Sequence, residues 1–412
     1  VLLMLPVSLS ANHFRYGTMS WETPWDNRTI TLQMGNGWTA NHSSFNAEND
    51  YNYWAGDYVG SIKNNYIRIY WGDGSNTYVD LKILSRDTDM NDTISEMGDN
   101  SSSTWTKGVT HTYSSDGDYV VYWGSSARES VENSNGSAWR NETKVNIGGA
   151  NSSNISPVSA VPSVVQVQDN KTFNYQVVAT DANGDSLNYR WGTKAEFFDA
   201  NSTDNFTEPT GMTLSSAGLV TWNVQDSGGQ ATDVGDLWVA VIMVEDKHDN
   251  GSVKSYIPID FFFKIASASN DPPEFTKFPT GTRTVSVGNT KTIKIKSTDD
   301  SGVAPTITVL NPPSDNSSIW DNTTSTSGGE TTFIISFTPD SSMGNKSYAV
   351  NIRSTDNASM TKDKTLGLYV STVSNADPVA PTLVSPADNS TVTEPVTFQW
   401  EKSTDTDNDA VS

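Results

Sequence analysis

Short runs in which apolar and polar residues alternate recur along the chain. Tyr66-Ile67-Arg68-Ile69-Tyr70, Thr292-Ile293-Lys294-Ile295-Lys296 and Thr332-Phe333-Ile334-Ile335-Ser336-Phe337 are examples. Successive side chains of a strand point to opposite faces, so each run predicts a strand with one face buried. Their β-branched and aromatic residues suit a pleated, half-buried surface. Clusters of Gly, Asn, Asp, Ser and Pro separate the runs and predict turns. A 3.6-residue period is almost absent. The pattern predicts an all-β chain of serial β-sandwiches.

Three polar, Pro-containing stretches break the pattern, at 148–157, 266–273 and 372–381. Pro removes a ladder donor and marks such junctions. They divide the chain into units at 12–150, 151–269 and 270–373, with 374–412 expected to be the start of a fourth. Residues 1–11 run from Val1 through Pro6 to Ser10 and Ala11, apolar and then small, and are expected to be the remnant of a secretory signal. No later stretch approaches the about 18 consecutive apolar residues of a membrane-spanning helix.

Composition narrows the functional classes. Lys plus Arg number 26 and Asp plus Glu 48, a net charge of −22. Phosphate neutralisation needs clustered cations, so nucleic acid is not an expected partner. Cys is absent, which excludes disulfides, thiolate metal sites and a Cys nucleophile. The four His (His13, His42, His111 and His248) have no metal-site spacing, and no G-x-S-x-G elbow occurs. No catalytic residue is assigned, and the chain is not expected to be an enzyme.

Three stretches resemble known extracellular modules. Trp71-Gly72-Asp73-Gly74-Ser75, followed by Thr110-His111-Thr112-Tyr113 and Gly117-Asp118-Tyr119-Val120-Val121, resembles the PKD family. Ala179-Thr180-Asp181-Ala182-Asn183-Gly184-Asp185, with Gly218-Leu219-Val220-Thr221-Trp222, resembles cadherin-like Ig domains. Pro381, Leu383-Val384-Ser385-Pro386 and Val396-Thr397-Phe398-Gln399-Trp400 resemble the first strands of a fibronectin type III-like domain. These resemblances imply tandem Ig-like β-sandwich domains in an elongated array. They also imply a secreted, extracellular or cell-surface protein with a structural or adhesive role, expected to be a subunit of a filament or surface layer. Its expected partners are other copies of itself, surface proteins or glycans. The alternative is an accessory Ig-like or carbohydrate-binding region of a larger secreted enzyme.

Three kinds of candidate site follow. Asp181, Asn183 and Asp185 alternate around Gly184, a spacing that can turn three oxygens toward one hard cation such as calcium. The cadherin resemblance implies further ligands from Asp246, Asp249, Asn270 and Asp271. The alternative is an Asx-rich turn that needs no metal. Asn-x-Ser/Thr occurs 17 times, at Asn27, Asn41, Asn91, Asn100, Asn135, Asn141, Asn151, Asn154, Asn170, Asn201, Asn205, Asn250, Asn316, Asn322, Asn345, Asn357 and Asn389. That is about twice what random order would give, so the chain is expected to be a glycoprotein. Eight Trp fall within the first 150 residues. Trp25, Trp38 and Trp54 lie in loop-like sequence and are expected to form an exposed aromatic surface for carbohydrate or a partner.

Overall fold

A computed structural model describes residues 13–23, 28–40, 55–59, 67–87, 92–101, 104–126, 128–135, 138–149, 153–198, 204–224, 232–372 and 379–403. The signal-like residues 1–11 lie outside these. The described chain is all β apart from short turns such as Lys194–Phe197 and Ser341–Met343.

The first unit closes around a tryptophan-rich core. Strand Phe14–Glu22 pairs with Thr29–Thr39, in a register that sets Met19 opposite Met34 and Trp21 opposite Leu32. On the other side, Gly117–Ser125 pairs with Trp139–Ile147 and, through Tyr122, with Arg68–Tyr70. Alternation sends Ile69, Val121, Trp123, Trp139 and Val145 inward to meet Trp21, Leu32 and Trp71. Burying rings of this size dominates the stability of such a core.

One long strand ties the first unit to the second. Val253–Ala266 pairs along one edge with Leu237–Lys247. Its other edge meets three strands in succession. Tyr256 faces Lys144, Ile259 and Asp260 face Thr18 and Gly17, and Phe262 onward runs parallel to Val164–Gln168. The two units are consecutive in sequence, yet hydrogen-bonded strands join them side by side, a closer union than a Pro-rich junction alone would give. A second core forms here from Val220, Trp222, Trp238, Ile257, Phe261 and Phe263, and Tyr16 of the first unit packs into it.

The third unit is a two-sheet sandwich. One sheet is ordered Glu274–Lys277, Lys291–Thr298, Glu330–Phe337, Trp320–Ser327; the other is Arg283–Ser286, Thr361–Ser371, Lys346–Thr355, Thr306–Val309. Ile295, Ile335, Phe337, Ile352 and Leu368 fill the space between them. This unit leans on the second. Arg353 donates to the Val164 carbonyl at 3.2 Å, and the Thr361 N–H donates to Gln166 Oε1 at 2.9 Å. Beyond it, Leu383–Ser385 pairs with Gln399–Trp400.

Candidate metal centre

Three carboxylates meet where the second unit begins. Asp181, Asp185 and Asp246 each place an oxygen within 4.8 Å of the others. Asp181 and Asp185 belong to the loop between Ala179–Thr180 and Ser186–Trp191. Asp181 Oδ1 accepts the N–H groups of Asn183 at 2.8 Å and Asp185 at 3.1 Å. Gly184 supplies the positive φ of 77° that this tight loop needs. Asp246 comes from the neighbouring strand, opposite Leu187, which brings it beside Asp185.

The oxygens divide into used and unused. Asp246 Oδ1 accepts from the Ser255 N–H at 2.7 Å and the Ser255 hydroxyl at 2.5 Å, and its Oδ2 accepts from Asn154 Nδ2 at 2.9 Å. Asp185 Oδ1 accepts from Lys254 at 2.6 Å. Asp181 Oδ2, Asp185 Oδ2 and Asn154 Oδ1 are buried without a partner. Asn154 is only 4% exposed, and its amide already touches Asp246. Lys254 offsets one of three negative charges. Burial, joined by the like charges of Asp246 and Asp185, pushes the Asp181 carboxyl up to about 6, against the N–H donors of the loop. A set of hard oxygens with unsatisfied lone pairs and residual charge of two fits a divalent oxygen-seeking cation.

The structure gathers only part of the expected ligand set. Asn183 braces the incoming chain rather than the centre. Its Oδ1 accepts the Ile155 N–H at 2.8 Å, and its Nδ2 donates to the Ser153 carbonyl at 3.0 Å. Asp249 is exposed in the turn after Asp246 and is not in the cluster. Asn270 and Asp271 follow the far end of Val253–Ala266, whereas Ser255 at its start touches the centre. Asn270 donates to Asp356, and Asp271 pairs with Lys171 and Gln168. Both serve the contact with the third unit, and their assignment as ligands to the same centre is corrected. Asn154, read as a sequon, is the neighbour that the spacing did not reveal.

Two other sets of candidates also sort by burial. Among the sequons, Asn135, Asn170, Asn205, Asn250, Asn316, Asn322, Asn345, Asn357 and Asn389 are exposed, and Asn100 is half-buried. Asn141, at 0% exposure, donates to Asp260, and Asn154 is as described; neither can carry a glycan in the folded chain. Asn27, Asn41, Asn91, Asn151 and Asn201 lie outside the described residues, as do Trp25 and Trp54. Trp38 is not a surface platform. It is 8% exposed, donates to Asn36 Oδ1 at 2.6 Å and packs edge-on to Phe14 and Trp139.

The Trp71-Gly72-Asp73-Gly74-Ser75 turn is a structural device. Burial works against an ionised Asp73, but hydrogen bonds from Ser75 and His111 hold its carboxyl below the usual range. His111 Nε2 lies 2.8 Å from Asp73 Oδ2, and its ring stacks on Trp71 at 4.5 Å. Tyr113 donates to the Trp71 carbonyl at 3.1 Å.

The chain thus joins a tryptophan-cored β unit laterally to a second unit that holds an acidic cluster. Residues 15–148 match the family model described as integrin beta-like protein A-E, N-terminal. The chain is 26% identical over 278 residues to integrin beta-like protein B of Dictyostelium discoideum, a match over 64% of this chain and 12% of that protein. It is 28% identical over 227 residues to integrin beta-like protein C of the same organism, over 53% of this chain and 10% of that protein. The matches thus take in about a tenth of the relatives' length. Among solved structures, the GspB Siglec domain is similar at a TM-score of 0.22 and 14% identity, over 28% of this chain and 65% of that one. The Dpr2 Ig1-Ig2 complex with DIP-Theta Ig1-Ig3 is similar at 0.20 and 10% identity, over 84% and 94%. Likeness at such scores adds nothing to what the strands show. No helix among the described residues is long and apolar enough to cross a membrane.

Proposed function

We propose that this chain is an extracellular, adhesion-type segment of a cell-surface protein, acting as a rigid spacer and binding platform without catalysis. The match of residues 15–148 to the integrin beta-like N-terminal model carries this reading. The many exposed sequons support it, since glycans coat extracellular domains. In its finer form, copies of the chain contribute to a surface layer or filament. In this setting Asp181, Asp185 and Asp246, with Asn154, hold a calcium ion that fixes the entry of the second unit against the first.

The test is labelling of intact, unpermeabilised cells with an antibody to residues 274–372, together with adhesion of cells lacking the gene. Surface labelling and weakened adhesion support the reading. Labelling only after permeabilisation, or unchanged adhesion, overturns it. Electron microscopy of surface material tests assembly, for which free single particles count against filaments. Calorimetric titration of the chelated protein with calcium tests the ion separately.

A further inference from the structure

A second organised group of side chains stands on the outward face of the first unit, away from the carboxylate cluster. Tyr78, Arg68, Tyr70, Tyr122 and Arg140 follow one another across four adjacent strands. Tyr78 faces Arg68, Tyr70 faces Tyr122, and Tyr122 faces Glu142, beside Arg140. All lie opposite the core positions Ile69, Val121, Trp123 and Trp139. The Tyr70 and Tyr122 rings stack at 4.9 Å and 11°. The Arg140 guanidinium sits 3.7 Å from the Tyr122 centroid, and that of Arg68 sits 4.9 Å from Tyr70 and 5.5 Å from Tyr78.

The two arginines differ in one respect. Arg140 Nε donates to Glu142 Oε2 at 2.6 Å, and Glu142 Oε1 accepts from the Tyr256 hydroxyl at 2.7 Å. Arg68 has no carboxylate partner among the described residues, in a chain with 48 acids against 26 basic residues. Among the described residues its contacts are two tyrosine rings. Stacking holds a guanidinium's plane while leaving its N–H edge available, and that edge fits a planar oxyanion with two parallel hydrogen bonds. Tyr78, on the last strand of the sheet, is 50% exposed and adds a ring surface beside the cation.

We propose that Arg68, flanked by Tyr78 and Tyr70, forms a subsite for an acidic sugar. The guanidinium takes the sugar carboxylate, and the Tyr78 ring takes the apolar face of the pyranose. From Asn76–Tyr78 to Gly117–Ser125 is two interstrand spacings, about 10 Å, the reach of one or two sugar rings. A peptide adding to this sheet edge would find only three residues to pair with. A polyacidic chain would also meet the field of 22 net negative charges, whereas a single carboxylate responds mainly to the nearest guanidinium.

The experiment uses the whole chain in saturation-transfer NMR and calorimetric titrations. The probes are N-acetylneuraminic acid, glucuronic acid, neutral galactose, galactose 6-sulfate and a poly-glutamate peptide. Acidic sugars are expected to bind, with galactose weaker by at least about tenfold. Arg68→Gln is expected to weaken the acidic sugars by a similar factor while the melting midpoint stays put. Tyr78→Ala is expected to reduce transfer to the sugar ring protons. Equal binding of galactose, binding unchanged in Arg68→Gln, or no binding of either acidic sugar overturns the proposal. Binding confined to the sulfated sugar or to poly-glutamate overturns it as well, by naming a different ligand.

Discussion

Arg128 and Asp260, 132 residues apart in sequence, form a two-pronged ion pair at 2.8 and 2.5 Å with both side chains fully enclosed. Phe197 and Phe14 cover the guanidinium at 4.3 and 5.3 Å. Asp260 lies on the strand shared by the first two units, and it also accepts weakly from Asn141 at 3.4 Å. Removing one member leaves an uncompensated buried charge, which costs about 3–5 kcal/mol. Arg128→Ala is therefore expected to lower the urea midpoint of the first two units sharply. A change within experimental error would show that the pair does not hold them.

The shared strand couples the unfolding of these units. Differential scanning calorimetry of the whole chain should show residues 13–272 melting in one cooperative transition. The third unit, with its own complete sandwich core, is free to melt separately. Two distinct transitions within 13–272 would break the coupling.

Calcium, if held by Asp181, Asp185 and Asp246, must stabilise the native chain by mass action. The gain is about 2.7 kcal/mol when free calcium reaches 100 times its dissociation constant. Melts in calcium and in chelator should differ in the wild type and coincide in Asp246→Asn. Identical curves in the wild type would remove the ion.

The pH dependence carries its own sign. The Asp181 carboxyl stands at about 6 in the folded chain against an ordinary 3.8. A raised value means the protonated form suits the fold better. Its stabilisation is fully present below about 4 and is lost as pH rises through about 6. Without calcium, the wild-type urea midpoint should fall across that window relative to Asp181→Asn. A relative rise would contradict the assignment. A calcium ion bound there would displace the proton, so its affinity should weaken as pH drops below about 6.

Glycan mapping by mass spectrometry tests burial directly. Asn141 and Asn154 should be found unoccupied, whereas occupancy is expected among exposed sequons such as Asn316 and Asn322. Full occupancy at Asn141 would be incompatible with its place beside Asp260.

Much of this was legible locally. Alternation in 292–296 and 332–337 marked strands of the third unit, and the Asp181–Asp185 spacing marked two of the three clustered carboxylates. What escaped depended on contacts distant in sequence. Trp38 follows Gly35-Asn36-Gly37, which reads as a loop. Gly37 instead lies in a strand between Tyr16 and Ile94, where a Cβ would press on both side chains. Its missing side chain permits close packing, and Trp38 goes inward. Asn154 reads as a sequon because its burial depends on Asp246, 92 residues further on. The alternating Tyr66–Tyr70 run showed a strand but not that Arg68 would lie over tyrosine rings of two different strands.

The strand that completes the first unit is also the last of its partners to be synthesised. The ribosome must add about 120 residues after Ile147 before Ala266 emerges. At about 5–20 residues per second this takes roughly 6–24 s. Throughout that interval the rims of Phe14–Glu22 and Trp139–Ile147 lack their mate and invite wrong pairings. Nascent chains stalled before residue 253 should therefore engage chaperones or aggregate, and those released beyond 272 should not.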